Sequence, residues 1–169
     1  MPEASHRNID SETTLLKIPP HSNEAEQAVL GGVFLDPDTW VQVSERLRPE
    51  DFYRKNHQII FKAIFALDED NQPFDLVTVG EWLEDNKQLD EAGGLGYLTS
   101  LADSTPSASN MSSYSEIVRK RSILRQLIHA TSEITDSVFN PSGRSSDEIL
   151  DFAEQTVFEI AEQELRGKR

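Results

Sequence analysis

The residues of this chain that could do chemistry are few and scattered. Four histidines stand alone along it, His6, His21, His57 and His129. None forms a His-Glu-x-x-His signature or sits at metal-ligand spacing from a second ligand type. His57 reads as a hydrogen-bonded histidine of a helical core. There is no cysteine, which removes disulfides, thiolate metal sites and thiol nucleophiles together. The one glycine-rich stretch, Gly93-Gly94-Leu95-Gly96, is neither GxGxxG nor GxxxxGK[ST], for no Lys follows it and no strand-like run precedes it. It reads as a helix stop and restart, with glycine supplying a positive φ. No Ser, Asp or Glu has a visible catalytic companion. Acidic groups such as Asp68-Glu69-Asp70 and Glu84-Asp85 read as solvated helix ends. The residues thus offer no catalytic, cofactor-binding or metal-binding set, and function falls to the helix surfaces.

Charge narrows the partners. The 169 residues include 16 Lys+Arg against 30 Asp+Glu, a formal charge of −14. Nucleic-acid binding without sequence preference depends on cationic side chains displacing counterions, so the chain is not expected to grip DNA by itself. A protein partner with a basic face suits it better. No apolar run approaches the ~20 residues of a membrane span. Residues 1–14 lack the hydrophobic segment of a signal peptide. The absence of cysteine fits a reducing compartment, and the expected location is the cytoplasm.

The elements that position these surfaces are all helical. Residues 1–17 read as a disordered tail, and Ile18-Pro19-Pro20-His21 as an extended lead-in. Ser22 or Asn23 caps a first helix, with Asn23 and Glu26 at capping-box spacing. Its glycine pair, Gly31-Gly32, implies close approach of another helix, since each Gly inside a helix costs on the order of 1 kcal/mol relative to Ala. Asp36-Pro37 caps a second helix, which Pro49 ends. A third runs from about Arg54 to Leu67, with His57, Ile60, Phe61, Ile64 and Phe65 inward. Asp75 caps a fourth, and a short fifth covers about Leu95 to Ala102. No segment alternates with period two, so no strands are expected. The Ser104–Ser109 stretch marks a break in composition. Beyond it, about Ser109 to Phe139 holds no Pro or Gly, an unusually long helix for a globular protein. Asn140-Pro141-Ser142-Gly143 is a turn, and Ser145 with Glu148 caps a last helix to about Arg166.

The expected fold is therefore all-α: a compact multi-helix head (18–104) followed by a long antiparallel helical hairpin (105–166). On the last helix the apolar residues spread over roughly 240°, about twice what one partner helix needs. On the preceding helix Ile117, Leu124, Leu127, Ile134 and Val138 fall near heptad spacing. The excess predicts self-association through Ile117, Leu124, Leu127, Ile128, Ile149, Phe152, Val157, Phe158 and Leu165. The one basic cluster before the C-terminal tip, Arg119, Lys120, Arg121 and Arg125, is read either as salt-bridged to acidic residues of the hairpin or a neighbouring copy, or as a docking patch for a partner.

Several motifs carry a resemblance. The run Ile18-Pro19-Pro20-His21-Ser22-Asn23-Glu24-Ala25-Glu26-Gln27-Ala28-Val29-Leu30-Gly31-Gly32 resembles the opening of the bacterial replicative DNA helicase, the DnaB-type hexameric helicase. So do His57-Gln58-Ile59-Ile60-Phe61, Asp75-Leu76-Val77-Thr78-Val79, the stretch from Gly93 to Ala102, and Tyr114 through Leu124. The resemblance covers about residues 17–166 in the family's order. It implies an N-terminal domain whose hairpins pair, with six copies forming a collar arranged as a trimer of dimers. It further implies contacts with primase and a helicase loader, DNA contact only through the full ring, and a linker beginning about 167–169. After that linker it places a RecA-like domain that uses ATP and Mg²⁺ for 5′→3′ unwinding. No position here matches that domain's motifs, so no catalytic residue carries over. Two other readings stay open at this point: the helicase-binding domain of a primase, which has a similar head-plus-hairpin plan, and a stand-alone helical adaptor or small helical enzyme.

Overall fold

The computed structural model describes residues 17–166, and the expected disordered tail and the linker start lie outside them apart from Lys17. Among the described residues every regular element is a helix. Seven α-helices follow one another: α1 (Asn23–Leu35), α2 (Trp40–Ser44), α3 (Lys55–Glu69), α4 (Leu76–Asp85), α5 (Gly94–Ser104), α6 (Met111–Phe139) and α7 (Ser146–Arg166). Two 3₁₀ turns, Pro37–Thr39 and Pro49–Asp51, flank α2.

Local signals set most of these boundaries. Ser22 caps α1 by accepting from Ala25 N–H. Asp36 caps the first 3₁₀ turn with Pro37 in its first positions. Asp75 and Thr78 cap α4 reciprocally, and the Ser145 hydroxyl accepts from Glu148 N–H at 3.2 Å before α7. Gly93 and Gly94 take φ values of 108° and 82°, so the glycine cluster is the stop and restart expected. Two expectations need correction. Pro49 does not end a long second helix; α2 is a single short helix, and Pro49 opens the second 3₁₀ turn. Nor do Asn23 and Glu26 form a capping box, because Ser22 is the cap and Glu26 points inward, 1% exposed.

The head is built around α1. Val29, Leu30 and Val33 are fully buried, as are Val43, Leu47, Phe52, Ile60, Phe61 and Ile64 from α2, α3 and the turn between them. Trp40 and Phe61 meet with ring centroids 5.0 Å apart. α1 lies across both α5 and the start of α6, and Gly31-Gly32 is where they touch. A Cβ on Gly31 would overlap the Thr105 hydroxyl and the Leu101 carbonyl oxygen, and one on Gly32 would overlap the Met111 sulfur. α6 therefore has two environments. Met111, Ser115, Val118 and Ser122 are sealed under the head, whereas beyond them only Ala130 and Ser137 of this helix are buried.

The two glycines differ in what they abut. Gly31 faces a backbone oxygen that cannot move away; Gly32 faces the end of a flexible thioether. Gly31→Ala is expected to destabilise the fold by about 1–3 kcal/mol through overpacking. Gly32→Ala is expected to be close to neutral, as Met111 shifts and the helix gains the roughly 1 kcal/mol of propensity that Gly lacks. Equilibrium urea unfolding of the two variants measures the difference.

Candidate partner-binding surface

The surface begins at the joint that aims the hairpin. The loop 48–54 sits between head and α6, and it is fixed from both sides. On the hairpin side Asp51, 3% exposed, accepts from the Ser122 hydroxyl and from Arg48 N–H, each at 2.7 Å. The Arg119 guanidinium stands 3.5 Å from the same carboxylate and also donates to the Gln163 carbonyl of α7. Arg125 donates to the Asp51 carbonyl at 2.6 Å and to the Pro20 carbonyl at 2.8 Å. Arg121 donates to the His21 carbonyl at 3.0 Å. Arg125 also lies over the Tyr53 ring, on which His21 stacks. Burial pushes the Arg125 guanidinium below its ordinary pKa, and the charges of Glu26, Asp51 and Tyr53 act against that shift.

On the head side the same loop rests on Glu26. Its carboxylate accepts from Tyr53 N–H at 2.8 Å, from Arg54 N–H at 3.3 Å and from His57 Nδ1 at 2.7 Å. A carboxylate that already accepts two N–H groups places the imidazole hydrogen on Nδ1. Nε2 then meets the Tyr97 hydroxyl at 2.6 Å. The chain Glu26–His57–Tyr97 thus ties α1, α3 and α5 together. It has the order of a relay, but every donor and acceptor in it is used to hold backbone and helices, and His57 is fully buried. His57 is the satisfied core histidine expected from its spacing. Among the described residues no three metal-ligating side chains come together. A cleft of 380 Å³ beside Asp51 is lined by Arg46, Arg48 and Arg119 and by Glu45, Glu50 and Asp51, so its charges balance.

Beyond the joint the hairpin is exposed, and the structure divides the predicted interface residues by direction. At about 100° per residue, Ile149, Phe152 and the buried Ile160 point from α7 toward α6. They form the seam, and Arg144 lies over the Phe152 ring. About a quarter-turn round from the seam, Leu127, Ile134 and Val138 of α6 share a stripe. Leu150 and Val157 hold the same offset on α7. Because the helices are antiparallel, offsets of the same sense land on the same side of the hairpin. One face therefore carries Leu127, Val138, Leu150 and Val157, exposed by 36%, 60%, 58% and 45%. The remaining predicted residues lie on the outer edges: Ile117, Leu124 and Ile128 on α6, and Phe158 and Leu165 on α7. The predicted interface set omitted Val138 and Leu150, although heptad spacing from Leu124 and the apolar arc of the last helix both point to them. It also omitted Phe139, 79% exposed at the tip.

The basic ladder is placed just as concretely. Arg119, Arg121 and Arg125 hold main-chain oxygens of their own chain. Lys120, 70% exposed, stands 4.0 Å from Glu116, and His129 pairs with Glu133 at 3.1 Å. Sequence reasoning expected carboxylate partners for the arginines. It missed the carbonyls of Pro20 and His21, which lie about a hundred positions away in the chain and leave no local signal.

A compact helical head, a polar joint and a two-helix arm with an uncovered apolar face define an all-helical head-and-hairpin protein. The match of residues 18–120 to the DnaB-like helicase N-terminal domain makes the assignment specific: the chain belongs to that family. It is 42% identical over 156 residues to the replicative DNA helicase DnaB of Haemophilus influenzae and 44% identical over 157 residues to that of Geobacillus stearothermophilus. These alignments cover 92% and 93% of this chain but 33% and 34% of the relatives, so the chain spans about a third of their length. The crystal structure of the N-terminal domain of DnaB helicase from Mycobacterium tuberculosis superposes with a TM-score of 0.80 at 36% identity, covering 84% of this chain and 99% of that one. A DnaB-like replicative helicase described with its interactions with primase superposes with a TM-score of 0.69 at 26% identity, covering 84% of this chain and 31% of that one. The family is the one the motifs resemble.

Removing the Glu26 carboxylate strands His57 and two backbone N–H groups in the interior. Glu26→Ala is expected to cost about 3 kcal/mol or more, whereas Glu24→Ala, two residues away and exposed, stays within about 0.5 kcal/mol. Thermal and urea unfolding of both variants, read by circular dichroism, measures the contrast.

Proposed function

We propose that this chain is the N-terminal assembly and partner-docking domain of an ATP-dependent 5′→3′ replicative DNA helicase, non-catalytic by itself. The observation that carries this reading is the single exposed apolar face shared by α6 and α7. An uncovered apolar face of that length on a soluble arm is a contact surface. A two-fold pairing of hairpins covers it with the same residues from each copy, and Leu127, Val138, Leu150 and Val157 then become the core of a four-helix interface. Such dimers are the unit from which a hexameric ring collar is built. The outer-edge residues Ile117, Leu124 and Ile128 complete the proposed self-association surface, whereas Phe158 and Leu165 lie on the far edge of α7, off that face.

Primase and a helicase loader are the proposed partners, consistent with the primase interactions described for the structural relative. Of the basic ladder, Lys120 is the proposed docking side chain, since Arg119, Arg121 and Arg125 each donate to main-chain oxygens of their own chain. ATP and Mg²⁺ belong to the RecA-like domain of the whole enzyme. A chain of formal charge −14 repels phosphate, so DNA is met through the assembled ring. No helix among the described residues is long and apolar enough to cross a membrane, in keeping with work on chromosomal DNA in the cytoplasm.

Sedimentation velocity across a concentration series tests the assembly. The wild-type chain is expected to shift from monomer to dimer or larger species as concentration rises. The double variant Leu127→Glu with Val157→Glu is expected to sediment as monomer throughout, with an unchanged helical circular-dichroism spectrum. A wild-type chain that stays monomeric at the highest concentration overturns assembly through this face. In parallel, the chain is expected to hydrolyse ATP no faster than buffer, and turnover above that background would contradict a non-catalytic role.

A further inference from the structure

The outer edge of α7 differs in chemistry from the face shared with α6. Measured from the seam with Ile149 as origin, Asp147, Asp151, Glu154, Phe158, Glu162 and Leu165 all fall within about 40° of the far side of the helix at 100° per residue. Phe158 and Leu165 are one heptad apart and are 61% and 64% exposed. The four carboxylates are exposed, and none makes an ion pair or hydrogen bond to another described residue. This is an amphipathic stripe of one sign: two apolar anchors set among uncompensated negative charge.

That chemistry rules on the occupant. A second α7 would bring like charges together whichever way it ran. Antiparallel pairing centred on Phe158 sets Glu154 against Glu162, and parallel pairing sets each carboxylate against itself, which is destabilising on helix surfaces. The arginines of a second copy's α6 are not available either, since Arg119, Arg121 and Arg125 are committed to their own carbonyls. Phosphate-bearing surfaces, nucleic acid or anionic lipid, are repelled. What fits is a different protein that supplies both an apolar stripe and positive charge.

We propose that the outer edge of α7 is a docking strip for a cationic amphipathic helix of a heterologous protein. Two apolar side chains of that helix, one heptad apart, pack on Phe158 and Leu165. Its Lys or Arg side chains meet Asp151, Glu154 and Glu162. The inference rests on the docking part of the proposed function and is independent of self-association, because the edge lies off the face shared by the two hairpin helices.

A fluorescent synthetic helix tests it, with Leu at heptad a and d positions and Lys at e and g; one control replaces Lys by Glu and another scrambles the order. Anisotropy titrations are run against the whole chain. The Lys peptide is expected to bind saturably, the Glu and scrambled peptides not. Phe158→Ser with Leu165→Ser is expected to weaken binding about tenfold or more. Charge reversal by Asp151→Lys, Glu154→Lys and Glu162→Lys is expected to swap the preference to the Glu peptide. Equal binding of the ordered and scrambled Lys peptides, or undiminished binding by the Ser variant, overturns the proposal in favour of diffuse attraction to an acidic chain. Conversion of the chain to monomer by the Ser variant would assign the edge to self-association instead. A monomeric wild-type chain that still binds the Lys peptide leaves this inference standing while removing the assembly reading.

Discussion

Everything in this molecule depends on how closely α1 can lie against α5 and the start of α6. Gly31 removes the Cβ atom that would meet the Leu101 carbonyl and hold them apart, and Gly32 leaves room for the Met111 thioether. The contact that results buries Met111 completely and roots a 29-residue helix in the head by its first turns. A helix anchored in that way acts as a beam. Its far half needs no contact with the head to keep its direction, because the hydrogen-bonded backbone is continuous. The helix-propensity cost of two glycines is offset by this burial, which is why they are found where local preference would put alanine.

The polar joint adds orientation to that attachment. Dispersion and apolar burial are non-directional, so the crossing of α1 over α6 leaves some rotation of the beam undetermined. Asp51, Ser122, Arg119 and Arg125 remove it with directional bonds between the 48–54 loop and one side of α6. Glu26 braces the loop from beneath through two backbone N–H groups. The Asp51 and Glu26 carboxylates and the Ser122 hydroxyl all have partners, as groups withdrawn from water require, while the Arg119 Nε–H has none. The same accounting covers the residues that look catalytic in type. Carboxylate, imidazole and hydroxyl are present and close, but they are spent on backbone and on each other.

The joint leaves the far half of the hairpin exposed. α7 has more apolar surface than one partner helix covers. Its side toward α6 closes the hairpin, the adjoining side continues a stripe of α6, and the far edge mixes Phe158 and Leu165 with carboxylates. Three directions on one helix carry three different chemistries.

Much of this was legible in the sequence because the signals are local. Caps act across three residues, and Ser22, Asp36, Asp75 and Ser145 announce their helices. Heptad spacing along α6 and the wide apolar arc of α7 are properties of single helices, so the hairpin and its surplus surface followed from them. The glycine pair announced a close crossing, though not which elements cross. Only the tertiary structure decided the rest. Glu26 stands at capping-box spacing and yet turns inward, because its true partners are at positions 53, 54 and 57. Arg121 and Arg125 find the carbonyls of His21 and Pro20 rather than carboxylates. Whether Val157 and Phe158, neighbours in sequence, face one partner or two depends on where the seam lies around the helix. Short-range pattern determined which residues become helix and which sides of each helix are apolar. Which of those sides meet depends on contacts between residues far apart in the chain, whose geometry exists only once the chain has folded.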